Sequence, residues 1–293
     1  MARQDNPMFL RQRLRERLKK ARETAQMTQI EVARYFDWSP SKVIRIENGK
    51  IAVSVADTRG LVARYGLEAE EAQELVELAK SARRPSWYAA YKEIMTPALE
   101  IFVAYEEVAR VVRNYERNVV PGLLQTEEYA RALLKGLQDN GDHRTLELRV
   151  DLRMQRQRIL VDNEAEFFFI LDEAVLRRMI GGEAVMRQQF EALLRMNEKP
   201  NVTILYVPFS VGVYPSFRRP YQLFEIEPSG GDLIVYLESP AGETLISERD
   251  ASPKVVEPTD YLDAFSRIEE SDDSKPITEE ALFGTPAVGS ANP

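Results

Sequence analysis

The sequence contains no cysteine and a single histidine, His143, in 293 residues. The first absence excludes disulfides, thiolate zinc sites, iron–sulfur clusters and cysteine nucleophiles. The second leaves no multi-histidine metal site. No apolar run approaches the ~18 residues that a membrane-spanning helix needs. The first residues, MARQDNPMFLRQRLRERLKK, lack the apolar centre of a secretory signal. A cytoplasmic protein without cofactors is expected. The chain also lacks a Gly-rich phosphate loop, a GxSxG elbow and a cluster of metal-ligand residues, so no catalytic activity is expected. Positive charge is in deficit: 39 Lys and Arg face 47 Asp and Glu, a formal net charge of −8. As a total, that argues against nucleic acid. What is present is ordinary for a globular chain, with 44% hydrophobic and 29% charged residues and a length that suits about two domains.

The charge is unevenly placed. Residues 1–50 carry 12 basic and 6 acidic groups, a net of +6, and residues 51–85 a net of −1. Residues 86–293 carry 22 basic and 35 acidic groups, a net of −13. A basic head on an acidic body points to nucleic-acid contact by the head.

Periodicity predicts helices through most of residues 1–82. Leu10, Leu14, Leu18 and Ala21 recur at steps of three and four among basic residues. Thr28 with Glu31 reads as a capping box ahead of QIEVARYF. Ser39 and Pro40 suit the N-cap and first helical position of a second short helix, which Gly49 stops. Two more helices are expected near 54–65 and 68–82, punctuated by Gly66. Residues 83–100 read as a connector. Residues 101–117 are ambiguous between helix and strand because they are rich in Val. Helices are expected at 144–161, within DEAVLRRMI and within EAVMRQQFEALLRM. Strands are expected at EFFFIL, NVTILYVPF, YQLFEIEP, DLIVYLES and GETLISE. A last helix is expected within 253–269, and a mobile tail over 271–293. The expected architecture is an all-α head (1–82) and an α+β domain (101–270) that binds a partner or effector or dimerises.

The segment TQIEVARYFDWSPSKVIRIENGK places two short helices around a tight connection. Ala33 is small enough for their close crossing, and the second helix is free to lie in a major groove with its N-terminal residues at base edges. On Thr28-Gln29, Val32-Ala33, Ser39, Val43, Ile46 and Glu47-Asn48-Gly49, the segment resembles the Xre/lambda-repressor-like helix-turn-helix domains. Position gives the expected roles. Ser39 opens the recognition helix, and Ser41, Lys42 and Arg45 are the candidates for base edges, Arg being suited to guanine. Lys50 is expected on phosphate, as are Arg11, Arg13 and Arg15 unless they are simply solvated. Gln29 either touches phosphate or braces the recognition helix. Glu47 suits a structural pairing with a basic residue better than a DNA face. Trp38 is read as a core plug, with packing on sugar–phosphate as the alternative.

In the body, the strings VPGLLQTEEYARALL, RVDLRMQRQRIL, ILDEAVLRRMIGG with VMRQQFEALL, and NVTILYVPFSVGVYP follow one another in order. Over roughly 100–270 they resemble the C-terminal domain of an actinobacterial group of Xre-type regulators described as toxin–antitoxin-like. The stretch YPSFRRPYQ departs from that family, which has a small, Gly-rich turn there. The resemblance implies a transcriptional regulator that binds double-stranded DNA, often encoded beside a small protein that it binds. Dimerisation on a palindromic operator is expected, because one helix-turn-helix reads few bases. The alternatives are an antitoxin-like protein that mainly holds a small partner, and a small-molecule-sensing regulator. Arg149, Arg153 and Arg156 fall on one side of a helix. They are read as bracing the sheet through Asp172 or Glu173; the alternative is an anion or peptide site made by Gln125, Arg153 and Arg156. His143 is expected to be exposed.

Overall fold

A computed structural model describes residues 6–137, 142–162, 165–215, 218–226, 232–239, 242–247 and 256–284. The chain divides into two compact units, Met1–Ala90 and Tyr91–Pro293.

The first unit is five helices: α1 (Pro7–Thr24), α2 (Gln29–Tyr35), α3 (Pro40–Glu47), α4 (Val55–Tyr65) and α5 (Ala69–Ser81). Their starts follow local chemistry. The Thr28 side chain accepts from the Glu31 amide and the Glu31 carboxylate accepts from the Thr28 amide, a complete capping box. Ser54 caps α4 through the Asp57 amide, and Gly66 ends it at φ 73°, a left-handed conformation that glycine adopts without strain. Pro40 stands at the start of α3 as expected, but the Ser39 hydroxyl makes no capping bond. It lies 3.0 Å from the Ser41 hydroxyl instead. Leu14 and Leu18 of α1, Val32 and Ala33 of α2, Val43 and Ile46 of α3, and Leu61 and Leu75 behind them form one buried cluster. Ala33 is 1% exposed, so a larger side chain there would overpack the core.

The stretch 83–100, expected as a connector, is largely ordered into helix. A 3-10 segment runs over Trp87–Ile94, and α6 (Pro97–Val108) starts before residue 100, capped by the Thr96 hydroxyl.

The second unit carries a seven-stranded mixed sheet in the order β6-β5-β4-β1-β2-β3-β7. The strands are β1 (Val111–Glu116), β2 (Glu166–Asp172), β3 (Val202–Val207), β4 (Tyr221–Ile226), β5 (Asp232–Ser239), β6 (Gly242–Ser247) and β7 (Lys275–Pro276). β1, β2 and β3 are parallel. They are joined through α7 (Glu127–Leu137), α8 (His143–Arg156) and α9 (Ile159–Asp162), then through α10 (Glu173–Arg177) and α11 (Glu183–Asn197). The other pairings are antiparallel. The two-residue side-chain period sorts each strand onto two faces. Tyr115, Ile170, Leu223 and Val235 pack with Phe265 and Ile268 of α12 (Pro258–Glu269). Phe224 lies on the opposite face, where the Phe102 ring of α6 meets it edge-on at 5.5 Å.

Three expectations are corrected. Residues 101–117 are not one element, because Ala109 turns out of the helix and the chain enters β1. The helix expected over 144–161 is two, since Gln157 and Arg158 leave the α-helical pattern between α8 and α9. The tail from 271 is ordered as far as Gly284: Lys275 and Pro276 pair with Tyr206 and Leu205, and α13 (Glu279–Phe283) follows. Ile277 and Leu282 are buried there, which supplies the apolar anchor that a polar sequence conceals. Residues 285–293 lie outside the described residues. Among the described residues, no helix is long and apolar enough to cross a membrane.

Candidate nucleic-acid interface

The joint between α2 and α3 is built around one buried carboxylate. Glu47, at the end of α3, accepts from Arg22 Nε at 2.6 Å and Nη2 at 2.9 Å, and from Gln29 Nε2 at 2.7 Å. Its side chain is 6% exposed. The Arg22 guanidinium also donates to the Met27 carbonyl at 2.9 Å, and the bond with Glu47 holds the Arg22 pKa above its usual value. α1, α2 and α3 are thus tied at one point. Glu47 has the structural role expected of it. Gln29, at the start of α2, donates to Glu47 and so braces the recognition helix.

The connection itself is tight. Asp37 has φ 52°, in the left-handed region, and the Trp38 amide donates back to the Ala33 carbonyl at 2.8 Å. Trp38 is half-buried against the core, stacked on Phe36 at 4.8 Å. The Lys42 ammonium sits 3.5 Å from the centre of the Trp38 ring and 3.3 Å from Asp57 Oδ2. Lys42 therefore has two intramolecular partners, and a base contact by it would have to break them. Gly49 ends α3 at φ 70°. A Cβ there would fall 2.0 Å from an Arg15 guanidinium nitrogen, so Arg15 packs against the end of the recognition helix.

One stripe of α3 is left outward. Ser41, Arg45 and Asn48 are exposed, as is Ile44 at 42%, and these four recur at helical steps of three and four. Neither Ile44 nor Asn48 is among the DNA-contact candidates that sequence points to, although Asn48 belongs to the motif that carries the helix-turn-helix resemblance. An isoleucine reads as core until its neighbours Val43 and Ile46 are seen to fill that role. The exposure matters because an apolar side chain on such a stripe suits a thymine methyl, and a carboxamide suits adenine. The Arg45 side chain carries no hydrogen bond or ion pair among the described residues. Lys50 and Arg13 are exposed. Arg11 donates to the Ala82 carbonyl at 3.0 Å, closing the end of α5.

In the second unit, the candidates Gln125, Arg153 and Arg156 do come together. Arg156 forms a two-pronged pair with Glu106 of α6, at 2.7 and 2.8 Å, with both groups buried. Burial, the largest single effect, would lower the Arg156 pKa, but the charge and hydrogen bond of Glu106 together outweigh it and the net shift is upward. Gln125 donates to the Val120 carbonyl at 2.6 Å and accepts from Arg153 at 2.8 Å. Bracing through Asp172 or Glu173 is therefore corrected. Asp172 caps α10 and accepts from Tyr214, while Glu173 pairs with Arg177. Arg149 is exposed, and His143 is exposed as expected.

The string PGLLQT gains a physical account from three glutamines. It forms a buried 3-10 turn at Gly122–Leu124. Gln189 donates to the Leu124 carbonyl at 2.7 Å and accepts from the Thr126 amide at 2.8 Å. Gln157 donates to the carbonyls of Gly122 and Gln125, and Gln125 itself returns to Val120. The turn's backbone groups are thereby satisfied away from water.

Residues 99–271, more than half of the chain, match the family model described as "Domain of unknown function (DUF5753)". The chain belongs to that family. Residues 13–75 match a model described as "Helix-turn-helix domain", which spans α2 and α3 and the core behind them. This DUF5753 chain thus carries the domain of a DNA-binding regulator on its first unit. No curated protein and no solved structure matches it.

Proposed function

We propose that this protein is a sequence-specific transcriptional regulator, without catalytic activity of its own, that reads double-stranded DNA with α3. The observation that carries the reading is the outward stripe Ser41, Ile44, Arg45 and Asn48, held rigid by the buried Arg22–Glu47–Gln29 node. A recognition helix needs free side chains on a fixed frame, because base contacts tolerate little displacement. The glutamate that would repel phosphate is spent inward on Arg22. Arg45 is placed for guanine, with Ile44 and Asn48 beside it, and Lys50 and Arg13 serve the phosphates. Ser39, at the entry of α3, is expected at the backbone. Two copies bound to a palindromic operator, with half-sites ~34–36 Å apart, would supply the specificity that one helix lacks.

A second role for the body rests on charge: the net of −13 over residues 86–293 favours a small basic protein as partner, in line with the toxin–antitoxin-like resemblance. The test is binding of the full chain to its own promoter fragment at several salt concentrations. Tight, salt-sensitive binding that competitor DNA of random sequence does not remove supports the reading. Binding that random DNA competes away equally well overturns it.

A further inference from the structure

The second unit contains a recess of about 570 Å³, within the ~300–1,000 Å³ of small-molecule sites. Four of its lining residues, Tyr214, Arg218, Arg219 and Tyr221, come from the basic stretch YPSFRRPYQ. Tyr261 of α12 and the exposed Val213 also line it. The recess sits at the carboxyl ends of β1 and β2. Tyr115, near the end of β1, pairs with Tyr221 at the start of β4. Asp172 ends β2 and accepts from the Tyr214 hydroxyl, which also lies 2.8 Å from the Tyr115 hydroxyl. Tyr221 meets the Tyr261 ring edge-on at 5.0 Å and donates to the Tyr261 carbonyl at 3.2 Å. The Tyr214 and Tyr221 hydroxyls are thus engaged, which fixes their rings. The strand order also reverses here. The chain adds β2 and β3 on one side of β1, then returns to add β4 on the other. In open α/β sheets, ligands bind outside the carboxyl ends of the parallel strands at such a reversal.

The polar groups that remain are idle. The Arg218 and Arg219 side chains are exposed and carry no hydrogen bond or ion pair among the described residues. The Tyr261 hydroxyl makes no hydrogen bond among them either, although the residue is half-buried. Arg117, just past β1, donates to the Arg218 carbonyl at 3.4 Å and ties the arginine pair to the sheet edge. The acidic neighbour of Tyr261, Asp260, is held at the start of α12 by the Glu257 amide at 3.0 Å. Against a net of −13 over residues 86–293, two unpaired cations beside three tyrosine rings form a local positive spot.

We propose that this recess binds a small aromatic monocarboxylate, its ring against the three tyrosines and its carboxylate on Arg218, Arg219 and the Tyr261 hydroxyl. Aromatic rings favour edge-on and offset contacts with one another, and a guanidinium fork matches a carboxylate. A bare inorganic anion would leave the rings uncovered, and a neutral ring would leave both cations without an anion. A multiply charged phosphate is disfavoured by Asp260 and by the acidic body around the site. This holds however α3 is used.

The test is calorimetric titration of the full chain with phenylacetate, 3-phenylpropionate and indole-3-acetate. Benzyl alcohol supplies the ring without the charge, and acetate the charge without the ring. At least one aromatic acid is expected to bind, with benzyl alcohol and acetate ~tenfold weaker or more. R218Q/R219Q is expected to weaken that acid ~tenfold while unfolding at the wild-type temperature without probe, since both side chains are exposed and unpaired. Tyr261→Phe keeps the ring and the carbonyl that Tyr221 uses, and is expected to weaken the acid severalfold. If no aromatic acid binds, if benzyl alcohol or acetate binds as tightly, or if either variant keeps the wild-type affinity, the assignment is overturned.

Discussion

At the scale of single residues, α3 carries two kinds of side chain that respond oppositely to truncation. Glu47 is buried and satisfies Arg22 and Gln29, so Glu47→Ala strands a guanidinium and a carboxamide. Removing one partner of a buried pair costs ~3–5 kcal/mol. Urea unfolding should show a loss of that order in the first unit, with a smaller loss for Glu47→Gln. Arg45 is exposed with no partner among the described residues. Arg45→Ala should leave the unfolding curve unchanged and weaken specific DNA binding by ~1–3 kcal/mol, roughly 5- to 150-fold. Glu116 gives a pH effect of known sign. Burial and the nearby Glu238 push its native pKa up to about 8 from its ordinary 4.5, so the native state holds a proton that the unfolded state releases between those values. Stability therefore falls as pH rises through that window. The groups facing Glu116 are Glu238 on β5, Arg153 on α8 and Tyr129 on α7. Glu116→Gln should flatten that part of the stability–pH profile, read by chemical denaturation from pH 4.5 to 8.

At the scale of elements, local chemistry sets what is legible in sequence. Thr28 with Glu31, Pro40 after Ser39, and the stops at Gly49 and Gly66 are short-range devices, and all stand where sequence puts them. Gly49→Ala should destabilise the first unit by ~1 kcal/mol, because φ 70° opposes a Cβ, while the Arg15 guanidinium it meets is the end of a flexible side chain that can swing aside. A thermal melt beside that of Gly66→Ala, which has the same strain and open space, should show a similar loss. Long-range pairings are less legible. Arg156 lies 50 residues from Glu106, and nothing in the spacing prefers that carboxylate to Asp172. That Asn114 and Gln222 lie across from each other is invisible until β1 and β4 are in register. β7 is two residues long and has no period to read. Ile44 was hidden by type, since an apolar residue next to Val43 reads as core.

At the scale of the whole molecule, the net charge of −8 combines a basic head and an acidic body. The acidic body should limit non-specific DNA affinity and leave discrimination to the α3 stripe. Log affinity should fall linearly with log salt, and Lys50→Ala should reduce that slope by about 1 while weakening all sequences alike. The most direct test of the central claim is selection of duplexes from a random pool by the full chain, with Arg45→Ala in parallel. The account predicts one enriched palindrome for the wild-type protein. In the Arg45→Ala selection, a defined base pair of each half-site should become degenerate while the rest of the motif stays. No enrichment over the starting pool, or an identical motif from both proteins, would contradict it.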